Sequence, residues 1–289
     1  HFFDKGDTNS CVNVYRVFAD TYPKHERAPQ VLFLAASMLK RKGDTAGSRD
    51  LLKRIIDQYP QDQYFLRALS TLGWDRYEMQ DYEGALEAFT RFVKESPPSH
   101  NRALAAFSLA DCQMRLNRFA EAAASYQQVI EWLSPRENNP YAKTSDEVKK
   151  AAELVEKASF YIGYCRFKEP AEGEQKAKVR AEAVAALESF VKTYRNSELA
   201  PKAINLIGAI QLELGRSDEA AKTFERLGRE YPNSEDGKSA LFSLIRAAVE
   251  IGRYDLAEEA FGKIMAGEKP GTPSKLYTPE QFVRMGQWF

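Results

Sequence analysis

Apolar side chains recur along this chain in triples spaced i, i+3, i+4, the signature of one buried stripe on an α-helix. Leu32, Ala35 and Ala36 form one such group, and Leu69, Leu72 and Gly73 a second. Ile204, Ile207 and Gly208 form another, followed by Leu241, Leu244 and Ile245. After each comes a short break, at Gly43-Asp44, Asp81-Tyr82, Gly215-Arg216 or Gly252-Arg253. A second stripe then begins, as in Ala220, Phe224 and Leu227 or Ala257, Phe261 and Ile264, and several copies close on Tyr-Pro, at Tyr59-Pro60 and Tyr231-Pro232. Gly at the break suits a helix C-terminus because it enters the left-handed region without steric cost. Pro beyond the second stripe ends that helix. The element predicted is a helical hairpin with one apolar seam inside it and another for its neighbour.

The hairpins repeat. A spacing of 37 residues separates the helical starts at 29 and 66, at 66 and 103, and at 201 and 238. Ala85, Ala122, Ala183, Ala220 and Ala257 occupy one small-residue slot, where two antiparallel helices cross closely and a larger side chain would clash. A hairpin of this size cannot hide its apolar surface alone but can do so when stacked. The organisation expected over 1–289 is a single array. It comprises the second half of a copy at 1–28, copies at 29–65, 66–102 and 103–143, an irregular copy at 144–200, copies at 201–237 and 238–276, and the first helix of another at 277–289. The half-copy at the start rests on Gly6-Asp7, Cys11, Tyr15, Phe18 and Tyr22-Pro23. At the far end Thr278-Pro279-Glu280-Gln281 reads as a capping box that opens a helix carrying Phe282 and Met285. Both ends look cut, so the chain is expected to be an internal stretch of a longer array.

The irregular copy begins at Thr144-Ser145-Asp146-Glu147, a second capping box, and its helical pattern runs unbroken to about Phe167. Glu169 to Lys176 then reads as a hairpin turn lengthened by eight residues relative to its neighbours, either a tolerated loop or a contact surface.

These landmarks resemble the tetratricopeptide repeat, with its Leu-Gly in the first helix, its Ala–x3–Phe in the second and its closing Pro. The resemblance covers nearly the whole chain. It implies an all-α fold, a right-handed α-solenoid of stacked antiparallel helix pairs, whose first helices line a concave side. By family geometry the fifth and ninth residues of those helices face the groove, the twelfth less regularly. The fifth positions give Phe33, Phe107, Phe160 and Phe242, the ninth Trp74 and Tyr164, and the twelfth Tyr77 and Phe167. This aromatic set is expected either to bind a peptide or helical segment, since aromatic anchors dominate interface energetics, or to widen the core stripe by packing on the next copy. The Lys-and-Asn pair by which some members hold a C-terminal carboxylate appears in no copy.

Composition narrows the remaining classes. The chain has 41 Lys+Arg against 41 Asp+Glu in 289 residues, and without a basic surplus there is no general footprint for nucleic acid. No apolar run reaches the roughly 18–20 residues of a membrane span. The three His, at 1, 25 and 100, and the three Cys, at 11, 112 and 165, show no spacing of a metal site, a catalytic dyad or a disulfide framework. The cysteines share small-residue positions of the repeat and read as buried. No enzyme activity, cofactor or metal is therefore expected, and the partner expected is a protein or peptide. The Tyr-Pro-x-Ser style of ending in Tyr231-Pro232-Asn233-Ser234 resembles bacterial cell-envelope members of the family, the outer-membrane assembly lipoproteins and Tol–Pal coordinators. That resemblance implies a periplasmic or outer-membrane-associated scaffold. The alternatives are a cytoplasmic adaptor and an accessory module of a larger multidomain enzyme or membrane protein.

Overall fold

In a computed structural model, residues 8–134, 138–267, 274 and 277–288 are described, without the side chains of Phe282 and Trp288. The Gly6-Asp7 break therefore lies outside the described residues, as does the side chain of Phe282. Among the described residues there are fourteen α-helices and no strand. The chain divides into two compact units, 1–154 and 155–289.

The first unit holds α1 (Thr8–Thr21), α2 (Ala28–Lys42), α3 (Thr45–Gln58), α4 (Gln63–Glu78), α5 (Tyr82–Glu95), α6 (His100–Arg115) and α7 (Phe119–Leu133). Each helix packs on the next in chain order, which is the stacking the periodicity predicts. Helix starts are set by side chains that accept otherwise orphaned N–H groups. Asp44 accepts from the Gly47 amide at 2.8 Å, Asp81 from Gly84 at 3.1 Å and Ser99 from Arg102 at 3.2 Å. Helix ends use the left-handed conformation, with Gly43 at φ 91°. The equivalent positions after α4 and α6 are held by Gln80 (φ 62°) and Asn117 (φ 59°). The turn is thus kept even where the sequence supplies no glycine, at the cost of a strained residue. The core joins Leu32, Leu52, Ile55, Leu69 and Phe89.

α8 (Ser145–Lys168) opens on its predicted box: the Glu147 N–H donates to Thr144 Oγ1 at 3.2 Å and the Thr144 N–H donates to Glu147 Oε2 at 3.1 Å. Its 24 residues extend about 36 Å. The second unit continues with α9 (Gly173–Thr193), α10 (Ala200–Glu213), α11 (Ser217–Glu230), α12 (Glu235–Glu250), α13 (Tyr254–Gly267) and α14 (Pro279–Trp288). The expected long turn is corrected here. Helix resumes at Gly173, so half of the inserted residues extend α9 to 21 residues and the other half form a short connection after Lys168. Glu174, Gln175, Lys176 and Ala177 are strong helix formers, and Arg180 fixes the turn from inside. Its guanidinium donates to the carbonyls of Arg166 at 3.4 Å and Glu169 at 3.2 Å, and pairs with Glu213 at 3.1 Å. Phe160, Leu187, Phe190, Ile204, Ile207 and Phe224 form the core of this unit.

In both units the small-residue slots do the work expected of them. Ala85, Ala122, Ala183, Ala220 and Ala257 are fully buried. A Cβ at Gly73 would come within 2.8 Å of the Phe89 ring, and one at Gly208 within 2.6 Å of the Phe224 ring. Neighbouring hairpins are also tied by polar bonds at nearly constant sequence separation. Lys42 donates to Asn9, 33 residues away; Arg118 pairs with Glu83, 35 away; Tyr231 Oη donates to the Arg195 carbonyl, 36 away; Tyr277 Oη donates to the Lys238 carbonyl, 39 away. Cys11, Cys112 and Cys165 are buried free thiols. Burial, with Asp111 adding to it, pushes the Cys112 thiol up to about 12, which removes the reactive thiolate.

Candidate functional site

The first helices of successive hairpins in the first unit, α2, α4 and α6, leave a cleft of about 680 Å³. Phe33 comes from α2; Leu66, Arg67, Ser70 and Trp74 from α4; Leu104 from α6. Phe33, Ser70 and Trp74 lie at spacings that alternate with the buried stripe Leu32, Leu69 and Leu72, so they emerge beside the core instead of within it. Phe33 and Trp74 are half-buried. Trp74 stands edge-on to Phe89 at 5.3 Å and to Tyr77 at 5.9 Å. Phe33 lies 5.4 Å from Tyr64, and the Arg67 guanidinium sits over both rings, 4.8 Å from the Phe33 centroid and 5.0 Å from that of Tyr64. Such stacking restrains a long side chain that would otherwise sample many rotamers. Among the described residues lining the cleft, Arg67 alone carries charge.

The other predicted aromatics fall in different places. Tyr77 borders Trp74 but is committed elsewhere. Its hydroxyl donates to Asp111 of α6, and its ring meets Tyr82 at 5.5 Å. Burial, reinforced by the Asp111 carboxylate, holds the Tyr77 phenol well above its ordinary value. Asp111 also lies 3.6 Å from Arg115, whose own value it raises. Phe107 is half-buried against Tyr126 of its own hairpin, at 5.1 Å. Lys40 pairs with the buried Asp75, an ion pair between adjacent hairpins.

In the second unit Phe160 takes the second of the two expected alternatives, packing in the core instead of facing a partner. It is 1% exposed and belongs to the core, edge-on to Phe190 at 5.7 Å and Tyr161 at 5.4 Å. A ring enclosed in this way has no face left for a partner. Tyr164 and Phe167 are half-buried, and Phe167 lies beneath the Arg180 guanidinium at 5.2 Å. Phe242 is half-buried against the same core. The structure thus brings Phe33 and Trp74 to one cleft, places Tyr77 at its border, and leaves the remaining five outside it.

Sequence reasoning missed Arg67, Leu66 and Leu104. Arg67 had a readable signal: it follows Tyr64 at i+3, where helical side chains meet. Among the described residues no cluster of three His, Cys, Asp or Glu side chains could hold a metal ion, and no helix is long and apolar enough to cross a membrane. His25 accepts from the Arg27 amide at 3.1 Å in a turn, and its ring packs on Phe18 at 5.2 Å.

Comparison with known proteins bears on this architecture. One tetratricopeptide-repeat model matches residues 70–141, 180–235 and 212–273, and another matches 30–62 and 157–197. Outer membrane protein assembly factor BamD of Xylella fastidiosa strain 9a5c is 31% identical over 70 residues, and the Temecula1 strain protein gives the same figure. The match spans 24% of this chain and 24% of either relative. Among solved structures, a tetratricopeptide repeat protein from Parabacteroides merdae superposes with a TM-score of 0.53 at 14% identity, covering 90% of this chain and 87% of that one. YrrB, described as a protein of this repeat type with an unusual peptide-binding site, gives 0.50 at 12% identity over 76% of this chain and 95% of its own. These superpositions speak to the fold alone. With family models matching more than half of its length, the chain belongs to the tetratricopeptide repeat family.

Proposed function

We propose that this chain is a non-catalytic scaffold that binds a peptide or helical segment in the cleft of its first unit, with Phe33 and Trp74 as anchors and Tyr77 at the border. The observation that carries this reading is the cleft itself: a concavity of about 680 Å³ between three helices, walled by half-buried aromatic and aliphatic groups. Large rigid rings at the edge of a groove gain contact area on binding at little conformational cost. Phe107 forms a secondary contact point within the first unit, and Tyr164, Phe167 and Phe242 are contact points of the second unit taken by itself.

A random peptide library displayed on phage tests this. The chain is expected to select binders whose affinity falls about tenfold in Trp74→Ala, with the unfolding midpoint nearly unchanged. Binders indifferent to Trp74→Ala and Phe33→Ala would overturn the assignment of the cleft. We place the chain in a bacterial envelope complex; the match to the outer-membrane assembly factor supports this reading, although it covers a quarter of those relatives. Alkaline phosphatase fused to the full-length protein in its native host reports the compartment, since the enzyme is active only outside the cytoplasm. Inactive fusions would favour the cytoplasmic adaptor.

A further inference from the structure

The cleft carries a charge that its surroundings do not answer. Arg67 is exposed, makes no ion pair among the described residues, and is held over Phe33 and Tyr64 by contacts at 4.8 and 5.0 Å. Four other arginines of the first unit are differently placed: Arg54 pairs with Asp20 at 2.5 Å, Arg76 with Glu87 at 3.3 Å, Arg115 with Asp111 at 3.6 Å and Arg118 with Glu83 at 2.8 Å. Around Arg67 the lining is apolar or neutral, from Leu66, Trp74 and Leu104 to Ser70 and Thr71. A guanidinium stacked on rings keeps its N–H edge free. A fork of donors with fixed orientation, in a pocket of lowered polarity, matches a carboxylate better than any neutral group.

Resting on the groove assignment above, we infer that the occupant is an extended peptide carrying one internal acidic side chain between apolar residues. Its carboxylate pairs with Arg67, and its apolar flanks contact Phe33 on one side and Trp74 with Leu104 on the other. The acid is a side chain within the segment and not a chain terminus, because a single guanidinium with no second cation beside it in the lining suits one carboxylate on a continuing backbone.

Acetylated, amidated peptide pools with a central Glu, Gln or Lys and randomised apolar flanks provide the probe, measured by fluorescence anisotropy on the whole chain. The Glu pool is expected to bind about fivefold more tightly than the Gln pool, with a preference that weakens as salt is raised. Arg67→Gln should abolish that preference, so that the Glu and Gln pools bind alike, and Arg67→Glu should shift it to the Lys pool. Circular dichroism of each variant confirms folding. Equal binding of the three pools, lost in Trp74→Ala, overturns the acidic partner and leaves the groove standing. No binding by any pool, with no change in Trp74→Ala, overturns the groove reading and this inference with it. A preference for Glu that persists in Arg67→Glu overturns the assignment to Arg67.

Discussion

Phe33 and Phe160 hold the same position in their repeats, and each is followed by a cation at the second position of the next first helix. The Arg67 guanidinium lies 4.8 Å from the Phe33 ring, and the Lys202 ammonium lies 6.0 Å from the Phe160 ring. Yet Phe33 opens on a cleft while Phe160 is sealed. The neighbours decide the difference. Phe33 has Tyr64 beside it and small Ser70 further along α4, which leaves space. Phe160 is enclosed by Tyr161, Tyr164 and Phe190. Repeat register fixes the direction of a side chain, and the size of adjacent side chains fixes whether it remains available.

The largest effect that could break this contrast is truncation. Phe160→Ala should lower stability by about 3–5 kcal/mol by leaving a cavity, read from denaturant midpoints, whereas Phe33→Ala should cost about 1 kcal/mol and act mainly on peptide affinity. Equal losses from both would mean that the two rings serve one purpose. Next come the close helix approaches. Gly208→Ala and Gly73→Ala should each cost about 1–3 kcal/mol by driving a methyl group into Phe224 or Phe89, with Gly208→Ala the more severe because its approach is tighter.

A pH titration sharpens the picture at the border of the cleft. The Tyr77 phenol is raised in the folded state, so its contribution is fully present below about 10 and is lost as pH climbs through the folded value. Tyr77→Phe should flatten the alkaline limb of the stability curve, as thermal melts across that range would reveal. The smallest expected change is a gain. Gln80→Gly should raise stability by about 0.5–1 kcal/mol by relieving a left-handed residue, and a loss there would show that the Gln80 side chain holds the turn by contacts of its own.

Much of the fold was legible because helical hairpins leave a short-range imprint: the apolar triples, the Ala slots and both capping boxes depend on residues within a few positions of one another. The cleft was only partly legible. Register pointed to Phe33 and Trp74, but it left open whether Phe160 faces outward or joins the core, because its burial depends on Phe190, thirty residues further along in sequence. The inserted stretch after Glu169 was misread for a related reason. Comparison with neighbouring copies suggested a longer turn, while Arg180 of α9 itself, paired with Glu213 of the following helix, anchors a helix start close to Gly173.

The polar ties at 33 to 39 residues carry one more consequence. Each spans a single step of the array, so the loop it closes during folding is short, and the entropy of closure grows only slowly with such loops. A chain held together by nearest-neighbour links can melt one hairpin at a time, with hydrogen exchange fastest where a hairpin has a partner on one side only. Cuts or insertions at a turn would then be absorbed locally, which frees evolution to lengthen the array without redesigning its interior.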